Sequence, residues 1–65
     1  MTLVRVRDQL DENRIVYINP DFIVSIKPGS QEYIIALATD HYDSIMVSKS
    51  ELDKIIKAGN IKIVN

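Results

Sequence analysis

From Thr2 to Asp8 the chain alternates, with Val4 and Val6 on one side and Arg5 and Arg7 on the other. A period of two predicts a strand with one buried face. LDENR (10–14) is a polar turn, and the apolar run IVYI (15–18) reads as a second strand pairing with the first as a hairpin. Asn19-Pro20-Asp21 then breaks the apolar pattern. Proline pre-sets φ for the first position of a turn and offers no amide, while the Asn19 side chain can fold onto the amide of Asp21 or Phe22. FIVSIK (22–27) places Phe22, Val24 and Ile26 on one face and Ile23, Ser25 and Lys27 on the other. That pattern predicts a strand, or a brief helical turn leading into one.

Pro28-Gly29 opens a strong turn, PGSQ (28–31). YIIALAT (33–39) is apolar on both faces, as a central strand would be. DHYD (40–43) reads as a hairpin loop and SIMVS (44–48) as the returning strand. Ser48-Lys49-Ser50-Glu51 matches the S-x-x-E capping box, in which the serine hydroxyl accepts from the Glu51 amide and the carboxylate reaches back to the cap. Val47 and Leu52 stand at the positions of a hydrophobic staple. Leu52, Ile55 and Ile56 give one apolar stripe, Lys54 and Lys57 lie toward the negative end of the helix dipole, and Gly59 sits where a left-handed residue is expected after the helix. A helix is therefore expected over about residues 49–58, followed by a short terminal strand, IKIV (61–64), pairing with its own sheet or with a neighbouring subunit's.

The fold class these elements predict is α+β: one small domain spanning 1–65, with a four- or five-stranded, mostly antiparallel sheet and one helix near the C-terminus. The expected core is Val4, Val6, Val16, Ile18, Phe22, Val24, Ile26, Ile35, Leu37, Ile45, Val47, Leu52, Ile55 and Ile56. No linker or internal repeat divides the chain.

Composition narrows the function classes. A 65-residue chain with 46% apolar and 26% charged residues has a globular balance, but it buries a small fraction of its surface. Such domains need staples, and this one has no Cys and a single His. Disulfides and thiolate or histidine-rich metal sites are thereby excluded within one chain, and self-association is the expected staple. The net charge of −1 predicts neither nucleic acid nor an anionic membrane as the obvious partner. No window approaches the roughly 18 apolar residues of a spanning helix, and the alternating N-terminus does not read as a signal peptide, so no membrane insertion and a cytoplasmic location are expected.

Asp40, His41 and Asp43 are the nearest approach to a metal or acid–base cluster, and a hairpin loop attracts such residues on its own. Ser25, Ser44, Ser48 and Ser50 have one His to share, and with Gly29 and Gly59 the only glycines there is no phosphate loop. The chain is expected not to be an enzyme and to carry no cofactor. Arg5 and Arg7, which Arg14 and Lys62 could join, form a candidate phosphate-tracking face with Tyr17 or Tyr33 as a stacking surface. The competing reading is a solvated face paired with Asp8, Asp11 or Glu12.

The stretch Tyr17 to Ile23 with Ile26, preceded by Arg5 or Arg7 and followed by Tyr33 to Leu37, Val47 and the helix carrying Ser50, Leu52 and Ile56, resembles the small FlbD-like (SwrD-like) proteins associated with bacterial flagellar operons. The resemblance covers about residues 3–58. The chain has LDEN, PGSQE and DHYD where those proteins commonly carry Leu-Asn-Gly, Pro-Asp-Thr and Asn-Gly turns; an unrelated small bacterial or phage protein with the same pattern is the other possibility. The resemblance implies a non-enzymatic accessory protein and no catalytic residues. The expected function is thus a binding or regulatory module acting through protein contacts as a homo-oligomer, with Arg5, Arg7, Tyr17, Asp21 and Lys27 as partner-binding candidates. A nucleic-acid-binding regulator using Arg5 and Arg7 is the alternative, and a small-ligand binder at a subunit interface the second alternative.

Overall fold

The computed structural model describes residues 1–39 and 43–65. Strands β1 (Val4–Asp8) and β2 (Arg14–Ile18) form the expected antiparallel hairpin, with Val4 opposite Ile18 and Asp8 opposite Arg14. The polar turn between them is a 3-10 turn (Gln9–Asp11) followed by two left-handed residues, Glu12 and Asn13, at φ 55° and 60°. Asn tolerates that region readily. The Asp8 carboxylate starts the turn by accepting from the Leu10 amide at 3.0 Å.

Strands β3 (Ile23–Pro28), β4 (Glu32–Leu37) and β5 (Asp43–Ser48) make a second antiparallel sheet with β4 in the middle, as its two-sided apolar pattern predicts. The five strands therefore divide into a two-stranded and a three-stranded sheet. Val4, Val6 and Ile18 from the first, Ile35, Leu37, Ile45 and Val47 from the second, and Leu52 and Ile55 from the helix are buried together in one core.

Asn19-Pro20-Asp21 does turn the chain. Pro20–Phe22 is a 3-10 turn, with the Asn19 side-chain oxygen accepting from the Asp21 amide at 2.9 Å and the Asn19 carbonyl accepting from Phe22 N at 3.0 Å. The strand after it departs from simple alternation. Ile23 pairs with Leu37 but Ser25 with Ala36, so Val24 is the extra residue of a β-bulge. One extra residue reverses which face the following side chains take. Val24, expected in the core, is accordingly 58% exposed, whereas Ile23 and Ile26 both pack against it. Phe22, also expected in the core, ends the 3-10 turn before the bulge and is 50% exposed.

Helix α1 (Lys49–Gly59) starts where the capping motif places it, with the Ser48 hydroxyl accepting from the Glu51 amide at 3.3 Å. Its other half is diverted. Both Glu51 carboxylate oxygens accept from the Arg7 amide of β1, at 3.2 and 3.0 Å. That amide lies on the side of β1 away from β2 and has no ladder partner there. The Asp8 carboxylate makes the equivalent link to the other sheet, accepting from Met46 N of β5 at 3.1 Å. One carboxylate therefore ties the helix to β1 and the other joins the two sheets, where no β1–β5 ladder forms.

The helix ends in a Schellman pair: Asn60 N donates to the Lys57 carbonyl at 3.3 Å and Ile61 N to the Ile56 carbonyl at 3.0 Å. Asn60, at φ 52°, takes the left-handed position expected of Gly59, which has a negative φ. Gly59 answers a different need. A Cβ there would lie 2.6 Å from the Pro20 Cβ, so the NPD turn packs directly on the helix end. The expected IKIV strand does not form: Ile61 is drawn onto the core by the helix stop, and Ile63 and Val64 are 64% and 83% exposed.

Asp8→Ala is expected to cost about 3 kcal/mol, since it strands the Met46 and Leu10 amides, and Asp8→Asn about half of that because one acceptor oxygen remains. Urea unfolding of the two variants checks the order. Helix propensity alone would make Gly59→Ala stabilising by about 1 kcal/mol; overpacking against Pro20 is expected to reverse the sign, and a raised melting temperature would contradict that contact.

Candidate functional site

The β1–β2 register brings three of the five candidate side chains to one face. Arg5 stands directly opposite Tyr17, and Arg7 lies two residues on, opposite Ile15. All three candidates are exposed, Tyr17 to 63%. Asp21 lies in the 3-10 turn and Lys27 on β3 opposite Ile34, and neither is joined to the arginines by a bond or a strand pairing. Among the described residues the side chains of these five make no hydrogen bond or ion pair. Asp11 of the turn pairs instead with Arg14 at the start of β2, at 3.5 Å.

Beside this face a groove of about 530 Å³ opens between the sheets. Ile18, Leu37 and Ile45 of the core form part of its wall, and Leu3, Tyr17 and Phe22 line it with large exposed side chains. Phe22 and Leu3 are the residues that sequence reasoning missed. The signal for Phe22 is its place as the last residue of an NPD-initiated turn, where strand alternation no longer applies. Of the Asp40, His41 and Asp43 cluster, Asp40 and His41 lie outside the described residues, and Asp43 begins β5 and lines the groove. Among the described residues no three His, Cys, Asp or Glu side chains are placed to hold a metal ion, and no helix is long and apolar enough to cross a membrane.

A second groove, of about 670 Å³, runs between β3 and the C-terminal segment, with Val24 and Ile26 on one side and Ile61 and Ile63 on the other. On α1 the Asp53 carboxylate, 2.6 Å from the Lys49 ammonium, raises the lysine's pKa above its usual value, chiefly through that hydrogen bond. The pair is exposed and belongs to the helix surface. No protein-family model, curated protein or solved structure matches the chain.

Because Tyr17 and Phe22 are at least half exposed, Tyr17→Ala and Phe22→Ala are each expected to lower stability by no more than about 1 kcal/mol. Chemical denaturation checks this, and a loss comparable with that of a buried aromatic would place them in the core.

Proposed function

We propose that the protein is a small non-catalytic binding or regulatory accessory protein, cytoplasmic, acting through protein–protein contacts as a homo-oligomer. The supporting observation is the set of large apolar side chains left uncovered around the inter-sheet groove: Leu3 at 55%, Tyr17 at 63% and Phe22 at 50% exposure. Isolated exposed apolar residues are ordinary, but a contiguous group beside a concave apolar wall is the usual form of an interaction surface. The FlbD-like resemblance supports the same reading, since it implies a non-enzymatic accessory role.

A second reading draws on the Arg5–Tyr17 pairing with Arg7 on the same face. Two guanidinium groups beside an exposed phenol suit a single-stranded nucleic acid, with phosphates on the arginines and a base on the ring.

Light scattering is expected to find an oligomer at micromolar concentration, and a stable monomer would overturn the self-association. Mixed-sequence RNA and DNA are expected to bind no better than to unrelated acidic proteins. Tight binding that falls steeply with salt and is lost in the Arg5→Ala/Arg7→Ala double variant would replace the first reading with the second.

A further inference from the structure

The geometry points to one edge for self-association: a second copy of this chain pairs with β2, antiparallel and centred on Val16. This inference rests on the homo-oligomer reading and specifies its interface.

Among the described residues the two sheets have four outer edges, and they are not equivalent. The outer edge of β5 faces β1, with its Met46 amide taken by the Asp8 carboxylate. The outer edge of β1 is already occupied by the Glu51 carboxylate on Arg7 N. The outer edge of β3 carries the Val24 bulge, Lys27 and Pro28, three features that block strand addition. β2 is different. It runs Arg14–Ile18 without proline, glycine or bulge, pairs among the described residues with β1 alone, and bears Ile15 and Tyr17 on its outer face.

The hydrogen bond at Arg7 also sets the register. The Arg7 amide points away from β2, so Arg7 and its partner Ile15 form a non-hydrogen-bonded pair. The backbone N–H and C=O of Ile15 must then point to the free edge, as must those of Tyr17 two residues on. Antiparallel pairing needs such groups opposite one another. A two-fold axis at Val16 places Ile15 opposite the second copy's Tyr17 and overlaps all of Arg14–Ile18. Axes at Ile15 or Tyr17 would overlap only part of the strand. At Val16 the register sets no like charges opposite: Arg14 faces Ile18, and the Ile15–Tyr17 pair is an aromatic beside a β-branched residue, a favourable cross-strand combination.

Surface area supports the same occupant. The accessible surface is 4837 Å², about 600 Å² above the value expected for a folded 7.4 kDa monomer. The radius of gyration, 10.9 Å, is ordinary for this length, so the excess does not come from an extended chain. An excess of that size approaches the ~800 Å² that one partner contributes to a standard interface. β2 also forms a wall of the inter-sheet groove, so an added strand extends the same apolar surface.

Two kinds of variant test the edge and the register. Tyr17→Pro removes an amide that the monomer does not use, so circular dichroism and melting temperature are expected to stay near wild type while the dimer dissociation constant rises about tenfold or more. The wild-type chain has no Cys, so Val16→Cys supplies a lone thiol. At a two-fold, non-hydrogen-bonded position the two Cα atoms lie about 4.5 Å apart, within disulfide range. Mild oxidation is expected to give a covalent dimer with Val16→Cys and not with Tyr17→Cys. If Tyr17→Pro does not fold, the two cysteine variants decide by themselves. A dimer that survives Tyr17→Pro, or oxidation that cross-links the Tyr17→Cys variant and not the Val16→Cys variant, overturns the β2 interface and leaves self-association standing. A monomeric wild type overturns both.

Discussion

A carboxylate almost out of reach of water holds the two sheets in register with each other. Asp8 is 7% exposed, yet one of its oxygens accepts from the Leu10 amide and from Met46 of the opposite sheet. A buried carboxylate is costly unless it is hydrogen-bonded, and here two backbone amides donate to its Oδ1. The arrangement replaces part of a ladder. β1 and β5 lie side by side without strand pairing, and Asp8 at one point and Glu51 at another provide acceptors for amides that a continuous sheet would have paired.

This division into two sheets shapes the surface. Because side chains from the helix and from β1 close the seam, the β1 outer edge is withdrawn from other partners. The bulge that re-aims Val24 and the proline that ends β3 guard the opposite rim. Pro20, buried against Gly59, fixes where the chain leaves β2, and the turn it starts presents Phe22 outward next to Tyr17 and the groove. The edge left unguarded is β2, and the uncovered apolar side chains collect beside it. Stability and interaction thus draw on the same hairpin, its inner face filling the core and its outer face and edge remaining available.

Much of the architecture was legible residue by residue. Alternation in TLVRVRD and the doubly apolar YIIALAT identified a strand with one buried face and a central strand because side-chain period and burial are local consequences of strand geometry. Ser48 and Glu51 located the helix start because capping involves a few consecutive residues. The candidate face was legible in part: Arg5, Arg7 and Tyr17 do share it, since hairpin register follows from the turn. Asp21 and Lys27 were chosen as polar positions flanking apolar ones, and nothing in that choice places them near the arginines.

Patterns a few residues long were enough to settle the first five strands and the helix, their order, the hairpin face and most of the core. Contacts between distant parts of the chain settled the rest. Glu51 turned from its own helix cap to Arg7, 44 positions away, because an unpaired amide stood within reach. The bulge at Val24 turned that residue outward and let Ile23 and Ile26 both reach the core, and IKIV stayed out of the sheet because the helix stop placed Ile61 on the core. Gly59 is needed for the space it leaves to Pro20 and not for its backbone angles. These outcomes are set by which distant groups need a hydrogen-bond partner or room to pack, and no local pattern records that.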